Sequence, residues 1–281
     1  MSREMGTKNI KLSVCLITYN HERFIAQAIE SVLMQQTNFD FEIMIGEDDS
    51  SDKTREIVKE YKERFPDKIR LFLNDRKNVI YILGQPTGLW NFTNTLKHAR
   101  GEYVALLEGD DYWTSPSKLQ QQVDILEREQ YLAGCFHETQ LLYEDGSLGK
   151  VYGRDANDVM YPEDTITALS PFHTSSFVFR KDALHIPDWF FETPNADMAL
   201  FSIVSAFGPL KKIPEIMSGY RKHEMGISSR PDMKENVRSN RIRLIERLNT
   251  FHGLRYDSKA KDVIGDIKKI FKKKLSSLIF N

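Results

Sequence analysis

The chain has 281 residues, 41% of them hydrophobic and 28% charged, which excludes disorder as the default and allows one large α/β domain or one domain with an appendage. No apolar run approaches the ~20 residues needed to cross a bilayer, and the polar start, Met1 to Asn9, lacks the apolar stretch of a secretory signal, so a cytoplasmic protein is expected. The net charge of −1 divides into a +5 segment at 258–281 and a −6 body, which speaks against nucleic acid as the main ligand.

Lys11 to Ile17 reads as a buried strand that runs into Thr18-Tyr19-Asn20-His21. Ile25, Ala28, Ile29, Val32 and Leu33 then recur at helical spacing. Phe41 to Ile45 is the next strand and ends in Gly46-Glu47-Asp48-Asp49-Ser50-Ser51-Asp52. Ile57, Val58, Tyr61 and Phe65 mark a second helix, stopped by Pro66. A third strand, Ile69 to Leu73, leads through a long connection to a helix carrying Leu89, Phe92, Leu96 and Ala99. The fourth strand, Tyr103 to Leu107, stops in Glu108-Gly109-Asp110-Asp111, and a helix with Leu119, Val123 and Leu126 follows.

This alternation of strand and helix is the pattern of a parallel sheet covered by helices. Both acidic clusters fall at strand C-termini on one side of the sheet, where α/β proteins bind ligands. Crowded carboxylates suit Mg²⁺ or Mn²⁺, which commonly hold phosphates. A strand-to-helix turn rich in Asp and Gly is the plainer alternative. Cys15 and Cys135 lie in apolar runs and read as core residues, not as a zinc site or a disulfide.

The rhythm changes after about Glu129. Leu132 to Tyr143 reads as a strand, Asp145-Gly146 as a hairpin turn, and 150–170 shows no clear period. Ser176 to Arg180 is a strand, and Ala196 to Phe207 a helix. Lys211 to Ile213 and Ile216 to Arg221 read as two short strands bracketing Pro214, followed by a loop over 222–233. Helices over about 234–250 and 259–279 close the chain.

In order and separation, Val14 to His21, Glu47-Asp48-Asp49-Ser50-Ser51-Asp52 and Glu108-Gly109-Asp110-Asp111-Tyr112-Trp113 resemble the family 2 glycosyltransferases, as do Thr174 to Arg180, Ala196-Asp197-Met198 and Gly219-Tyr220-Arg221-Lys222-His223. The resemblance implies the A-type glycosyltransferase fold, an α/β architecture with a mainly parallel central sheet flanked by helices. Residues 1–129 would form the nucleotide-sugar-binding half, 130–233 the acceptor-binding half of the same catalytic domain, and 234–281 a basic helical extension. It further implies inverting, Mn²⁺- or Mg²⁺-assisted transfer from a nucleotide-diphosphate sugar, expected to be a UDP-sugar, to a glycan, glycolipid or glycoprotein.

Carried over residue by residue, Ile17, Thr18, Tyr19 and Asn20 would border the base, with Tyr19 stacking on it. Glu47 would accept a hydrogen bond from the base, although the family more often has Asp there; Asp48 and Asn91 would lie on the donor side. Asp110 would touch the ribose or the metal, Asp111 would ligate the metal, and His223 would stand near the metal or pyrophosphate, with Arg221 available to neutralise it. Thr174, Ser175 and Ser176 would face the acceptor, and Trp113 would either floor the sugar or join the core.

The chemistry of transfer needs such a set. A divalent cation across the phosphates stabilises the charge on the departing nucleoside diphosphate. Inversion needs one base on the opposite face to take the proton of the attacking hydroxyl. Asp197 matches the family's base position; an ordinary acid at a helix N-terminus is the alternative.

Two other classes remain. A sugar-nucleotide nucleotidyltransferase would show a Gly-rich basic loop after the first strand, and Thr18 to Glu22 is not one. A non-catalytic nucleotide-sugar or glycan-binding module would be expected to have lost the metal acids or Asp197, and all are present. In the tail, Val263, Ile264, Ile267, Ile270, Phe271, Leu275, Leu278 and Ile279 recur at helical spacing among lysines. That pattern fits peripheral contact of 259–279 with the inner membrane face, or a helix packed on the body or on a second copy in a homo-oligomer.

Overall fold

The computed structural model describes residues 9–279 apart from 83, 169, 225 and 227–230, with backbone alone for 231–239 and 270–279. The first half runs β1 (Leu12–Thr18), α1 (Ile25–Leu33), β2 (Phe41–Glu47), α2 (Thr54–Arg64), β3 (Ile69–Leu73), a small hairpin of β4 (Tyr81–Ile82) and β5 (Gln85–Pro86), α3 (Leu89–Leu96), β6 (Tyr103–Glu108), β7 (Tyr112–Trp113) and α4 (Lys118–Arg128). The second half runs β8 (Gly134–Tyr143), β9 (Leu148–Tyr152), β10 (Val159–Met160), α5 (Pro162–Thr167), β11 (Val178–Arg180), α6 (Ala196–Ser205), β12 (Leu210–Lys222), α7 (Pro231–Phe251) and α8 (Asp257–Ile279).

One large sheet has the order β10-β12-β8-β11-β6-β1-β2-β3, with β7 beside β12 and β9 beside β8. β1 is buried along nearly its whole length, as a strand covered on both faces must be. Its alternate residues feed two cores: Leu12, Val14 and Leu16 pack with α1, α2 and α4, while Cys15 and Ile17 pack with α6 and α7. On α1 the buried Ile25, Ala28, Ile29 and Val32 form the apolar stripe that the sequence spacing requires. Both cysteines are buried and unbridged.

β1 pairs in parallel with β2 on one side and with β6 on the other. The chain order reverses between them, so a crevice opens at the C-terminal ends of β1 and β6. Register sets Ile17 beside Glu108 and Thr18 beside Glu47, which brings both acidic clusters to that crevice. β11 then enters antiparallel between β6 and β8, and β12 lies parallel to β8.

The second half differs from the sequence expectation in three places. Residues 211–221 form one strand, β12, whose register against β8 shifts between Ile213 and Ile216, so Pro214 sits in a bulge where its missing N–H breaks no ladder bond. The stretch without a clear period contains β10 and the six-residue helix α5. The helix expected from about 234 already begins at Pro231, which lies at its first position, where proline is tolerated.

At the C-terminus, Leu244, Ile245 and Leu248 of α7 and Ala260 and Ile264 of α8 are buried in the core that holds α6, with Val263 and Ile267 packed against it. Lys259 lies 3.6 Å from Glu163 on α5. The first turns of the basic helix therefore pack on the body; the side chains of Ile270, Phe271, Leu275, Leu278 and Ile279 lie outside the described residues. Among the described residues, no helix is long and apolar enough to cross a membrane.

Candidate active site

The site is built where the turn after β6 comes within contact of the end of β1. Gly109 makes that approach: a Cβ there would lie 2.5 Å from Thr18 Oγ1 and 2.9 Å from His21 Nδ1. The Gly109 N–H donates to Ile17 O at 2.8 Å, and the Asp111 N–H donates to Glu108 O at 3.0 Å to close the turn.

Asp111 is 1% exposed. Its Oδ1 accepts a hydrogen bond from the Arg221 backbone N–H at 2.9 Å. Its Oδ2 has no hydrogen-bond partner and faces His173 Nδ1 at 3.6 Å. Glu108, Asp111 and His173 each offer a ligand atom, all within 4.8 Å of one another. Burial, then repulsion from Asp110 and Glu108, pushes the Asp111 carboxyl well above its usual range. Burial together with Asp110 and Asp197 pushes Glu108 up to about 8. Burial pushes His173 down to about 4, which leaves a neutral imidazole. Two carboxylates and a neutral imidazole suit a divalent cation of the Mn²⁺ kind, and the unpartnered Asp111 oxygen gives that cation a ligand with no other use.

Asp110 and His223, both expected at the metal, pair with each other: His223 Nε2 is 3.0 Å from Asp110 Oδ2, and His21 Nε2 approaches the same oxygen to 3.6 Å. Although burial opposes it, the charges and hydrogen bond of these two histidines hold Asp110 below its usual range. Arg221 spans the turn: its guanidinium donates to Asp110 O and lies 4.3 Å over the Tyr112 ring.

The nucleotide side holds Tyr19, which is 38% exposed at the mouth of the crevice. The Arg76 guanidinium sits 4.0 Å over its ring and donates to Asp48 Oδ2 at 3.0 Å. Burial pushes Asp48 up to about 6 against the pull of Arg76. Glu47 is fully buried; its Oε1 accepts from Ser50 N–H at 2.6 Å and its Oε2 pairs with Arg55 Nε, so both oxygens are engaged within the fold. Asn20 takes a positive φ of 54°, which Asn tolerates, and its Oδ1 accepts from Ser51 N–H at 2.9 Å, tying the two loops together. Thr18 is buried and its Oγ1 is 3.2 Å from His21 Nδ1. Asn91 is 2% exposed and bridges Gly46 O and the Asn74 side chain. Of the residues expected around the donor, Ile17, Tyr19, Asn20 and Asp110 keep some exposed surface, whereas Glu47, Asp48 and Asn91 are buried.

Asp197 lies in the first turn of α6, where burial raises its pKa. It borders a cavity of about 70 Å³ that Glu108, Thr174 and Ile17 also line. Trp113 is core: it is 1% exposed and its Nε1 donates to Ser175 O at 2.8 Å. Ser175 and Ser176 are fully buried, and Ser175 Oγ donates to Ser218 Oγ at 3.1 Å while lying 2.9 Å from His173 Nδ1, so of the three hydroxyl residues only Thr174 reaches the cavity.

His173, Arg76 and Arg55 are the site residues that sequence reasoning missed. His173 directly precedes the Thr174-Ser175-Ser176 run, and that adjacency was the one available signal. The arginines stand in no motif.

Residues 13–184 match the family described as Glycosyl transferase family 2. An uncharacterised protein of Mycobacterium tuberculosis, Rv1520, is 33% identical over 77% of this chain and 60% of its own length. An uncharacterised glycosyltransferase of Nostoc, alr2836, is 29% identical over 76% of this chain and 65% of its own. The chain thus spans less than two thirds of either relative. Among solved structures, S. aureus TarS in complex with UDP superposes with a TM-score of 0.60 at 19% identity over 89% of this chain and 68% of that one. The mannosyltransferase PcManGT of Pyrobaculum calidifontis, in complex with GDP-Man and Mn²⁺, gives 0.59 at 13% identity over 98% of this chain and 84% of that one. Both neighbours share the A-type glycosyltransferase fold with this chain.

Proposed function

The chain belongs to glycosyl transferase family 2, and from that premise we propose that it is an inverting transferase moving a sugar from a UDP-sugar to a hydroxyl of a glycan, glycolipid or glycoprotein. The observation that carries this reading is that Asp197 and Glu108 border one small cavity, Glu108 being itself grouped with Asp111 and His173. One site thus combines a candidate cation cluster and a second carboxylate, the two functions that inverting transfer needs.

In this reading Glu108, Asp111 and His173 hold Mn²⁺ or Mg²⁺, which supplies electrostatic stabilisation of the departing diphosphate. Arg221 adds positive charge on the same side and braces the acidic turn. Asp48 and Arg76 meet the base edge while Tyr19 offers its ring. Asp197, its pKa raised by burial, takes the proton of the acceptor hydroxyl as that oxygen attacks. Residues 1–129 would serve the donor and 130–233 the acceptor.

Thermal stabilisation by UDP with Mn²⁺, followed by donor turnover in the Asp111→Asn and Asp197→Asn variants, tests the reading. Metal-dependent stabilisation that vanishes in the first variant and persists in the second supports it. Full turnover in both would refute it.

A further inference from the structure

Strand β12 reaches the cation cluster twice, at Asp111 and at His173. Its Arg221 N–H donates to Asp111 Oδ1 at 2.9 Å. Its route to His173 runs through a buried chain of hydroxyls. Ser218 is fully buried and stands opposite Thr139 of β8 in the parallel register, with the two hydroxyl oxygens 2.8 Å apart. Ser175 Oγ donates to Ser218 Oγ at 3.1 Å and lies 2.9 Å from His173 Nδ1, and the Ser175 N–H donates to the same nitrogen at 3.3 Å. Trp113, the register partner of Ser218 on β7, anchors Ser175 as well, by donating from Nε1 to its carbonyl oxygen at 2.8 Å. Tyr220 follows Ser218 by two positions on the same face of β12 and stacks on the His173 ring, at 4.2 Å between centroids and 25° between planes. The stack fixes the plane of the imidazole, and the two contacts to Ser175 fix its rotation within that plane, which leaves Nδ1 3.6 Å from Asp111 Oδ2. Thr139, Ser175 and Ser218 are each 0% exposed, and burying a row of hydroxyls costs desolvation that apolar side chains of the same size would not.

We propose that Ser218 and Tyr220 are positioning residues for cation binding: through Ser175 and through the ring stack, they hold the His173 imidazole where it can share a cation with Asp111. This rests on the transferase reading above, in which Glu108, Asp111 and His173 take the cation. One strand thereby sets two ligands, Asp111 by the backbone of Arg221 and His173 by the side chains of Ser218 and Tyr220. Partners of this kind orient a metal-ligating histidine and strengthen its hold on the ion.

Mn²⁺ alone is the probe. The loss of its free-ion electron paramagnetic resonance signal on titration with the full chain gives the affinity, so neither donor nor acceptor is needed. Ser218→Ala combined with Thr139→Val removes both members of the hydroxyl pair and leaves neither without its partner. This double variant and, separately, Tyr220→Leu should each weaken Mn²⁺ binding about 10- to 100-fold, the usual loss when a ligand's outer partner is removed. Tyr220→Phe keeps the ring and should bind as the parent does. His173→Ala should weaken binding at least as much, and adding the Ser218 and Thr139 changes to it should weaken binding no further, because residues that act through His173 then have nothing to act on. If His173→Ala weakens binding while the double variant and Tyr220→Leu stay within about threefold of the parent, below the range such partners supply, the positioning proposal is overturned and the cation reading stands, even where their melting temperatures fall. If the parent binds no Mn²⁺, or His173→Ala binds it as tightly as the parent, the cation reading falls and the proposal with it.

Discussion

Asp111 and Arg221, 110 positions apart in the chain, are joined by a 2.9 Å hydrogen bond from the Arg221 backbone N–H to Asp111 Oδ1. That bond commits one carboxylate oxygen to strand β12 and fixes the direction of the other. The remaining oxygen points at His173 with no donor to satisfy it. A buried carboxylate held this way is costly without a cation and well placed for one.

Asp111→Asn keeps an oxygen for the Arg221 N–H but removes the buried negative charge. Sugar transfer should fall by at least about 10²-fold, in line with losing one preorganised electrostatic contact. The metal-free protein should melt no lower than the parent, because the cost of burying the carboxylate, and then its repulsion from Asp110 and Glu108, is relieved. Melting curves with and without Mn²⁺ check this: the parent gains stability from Mn²⁺ and the variant does not.

Asp197→Asn should lower kcat by about 10²- to 10⁴-fold, the usual contribution of a general base. UDP affinity by calorimetry should stay within error, because Asp197 borders a cavity that Tyr19, Asp48 and Arg76 do not line. A parallel loss of UDP affinity would assign Asp197 to donor binding.

Arg76→Ala tests the base end of the crevice. The guanidinium both covers Tyr19 and pairs with Asp48, so UDP affinity should fall roughly tenfold. In the proposed reading the ionised Asp48 carboxylate accepts from the base N–H, and parent affinity should then weaken as pH drops through about 6. Arg76 pulls that pKa down, so in the variant the inflection moves to higher pH. UDP titrations between pH 5 and 8 read both effects.

Lys118 is fully buried beside Trp113, with its Nζ donating to Gln122 Oε1 at 2.7 Å, and burial lowers its pKa to about 7. The folded state then binds fewer protons than the unfolded state between about pH 7 and the ordinary lysine range. Stability should therefore rise with pH across that window, by about 5 kcal/mol at most. Below about pH 7 the full burial cost is present. Lys118→Met removes the charge at similar length, and its melting temperature should be much flatter from pH 7 to 10 than that of the parent.

Much of the first half was legible because its information is local. Ile25, Ala28, Ile29 and Val32 declare a helix by spacing, and Tyr103 to Leu107 declares a buried strand by apolar continuity. Once strands and helices alternate, the handedness of the crossover leaves both acidic clusters no place but one rim of the sheet. The second half was less legible because β12 passes through Pro214 and its pairing with β8 shifts there, so its continuity is set by a neighbouring strand rather than by its own residues.

The sequence by itself determined the α/β class, the family resemblance and the residues available for chemistry at the rim, since these rest on periodicity and on motifs that sit within a few positions of one another. Only the tertiary structure decided how those residues divide. Arg55, eight positions after Glu47, takes up one of its oxygens, and Ser50 takes the other. His223 turns to Asp110, while His173, 62 positions beyond Asp111, takes the place beside it. The physical reason is that a carboxylate's role depends on which of its oxygens remains without a donor, and the donors come from segments that meet only when the sheet is assembled.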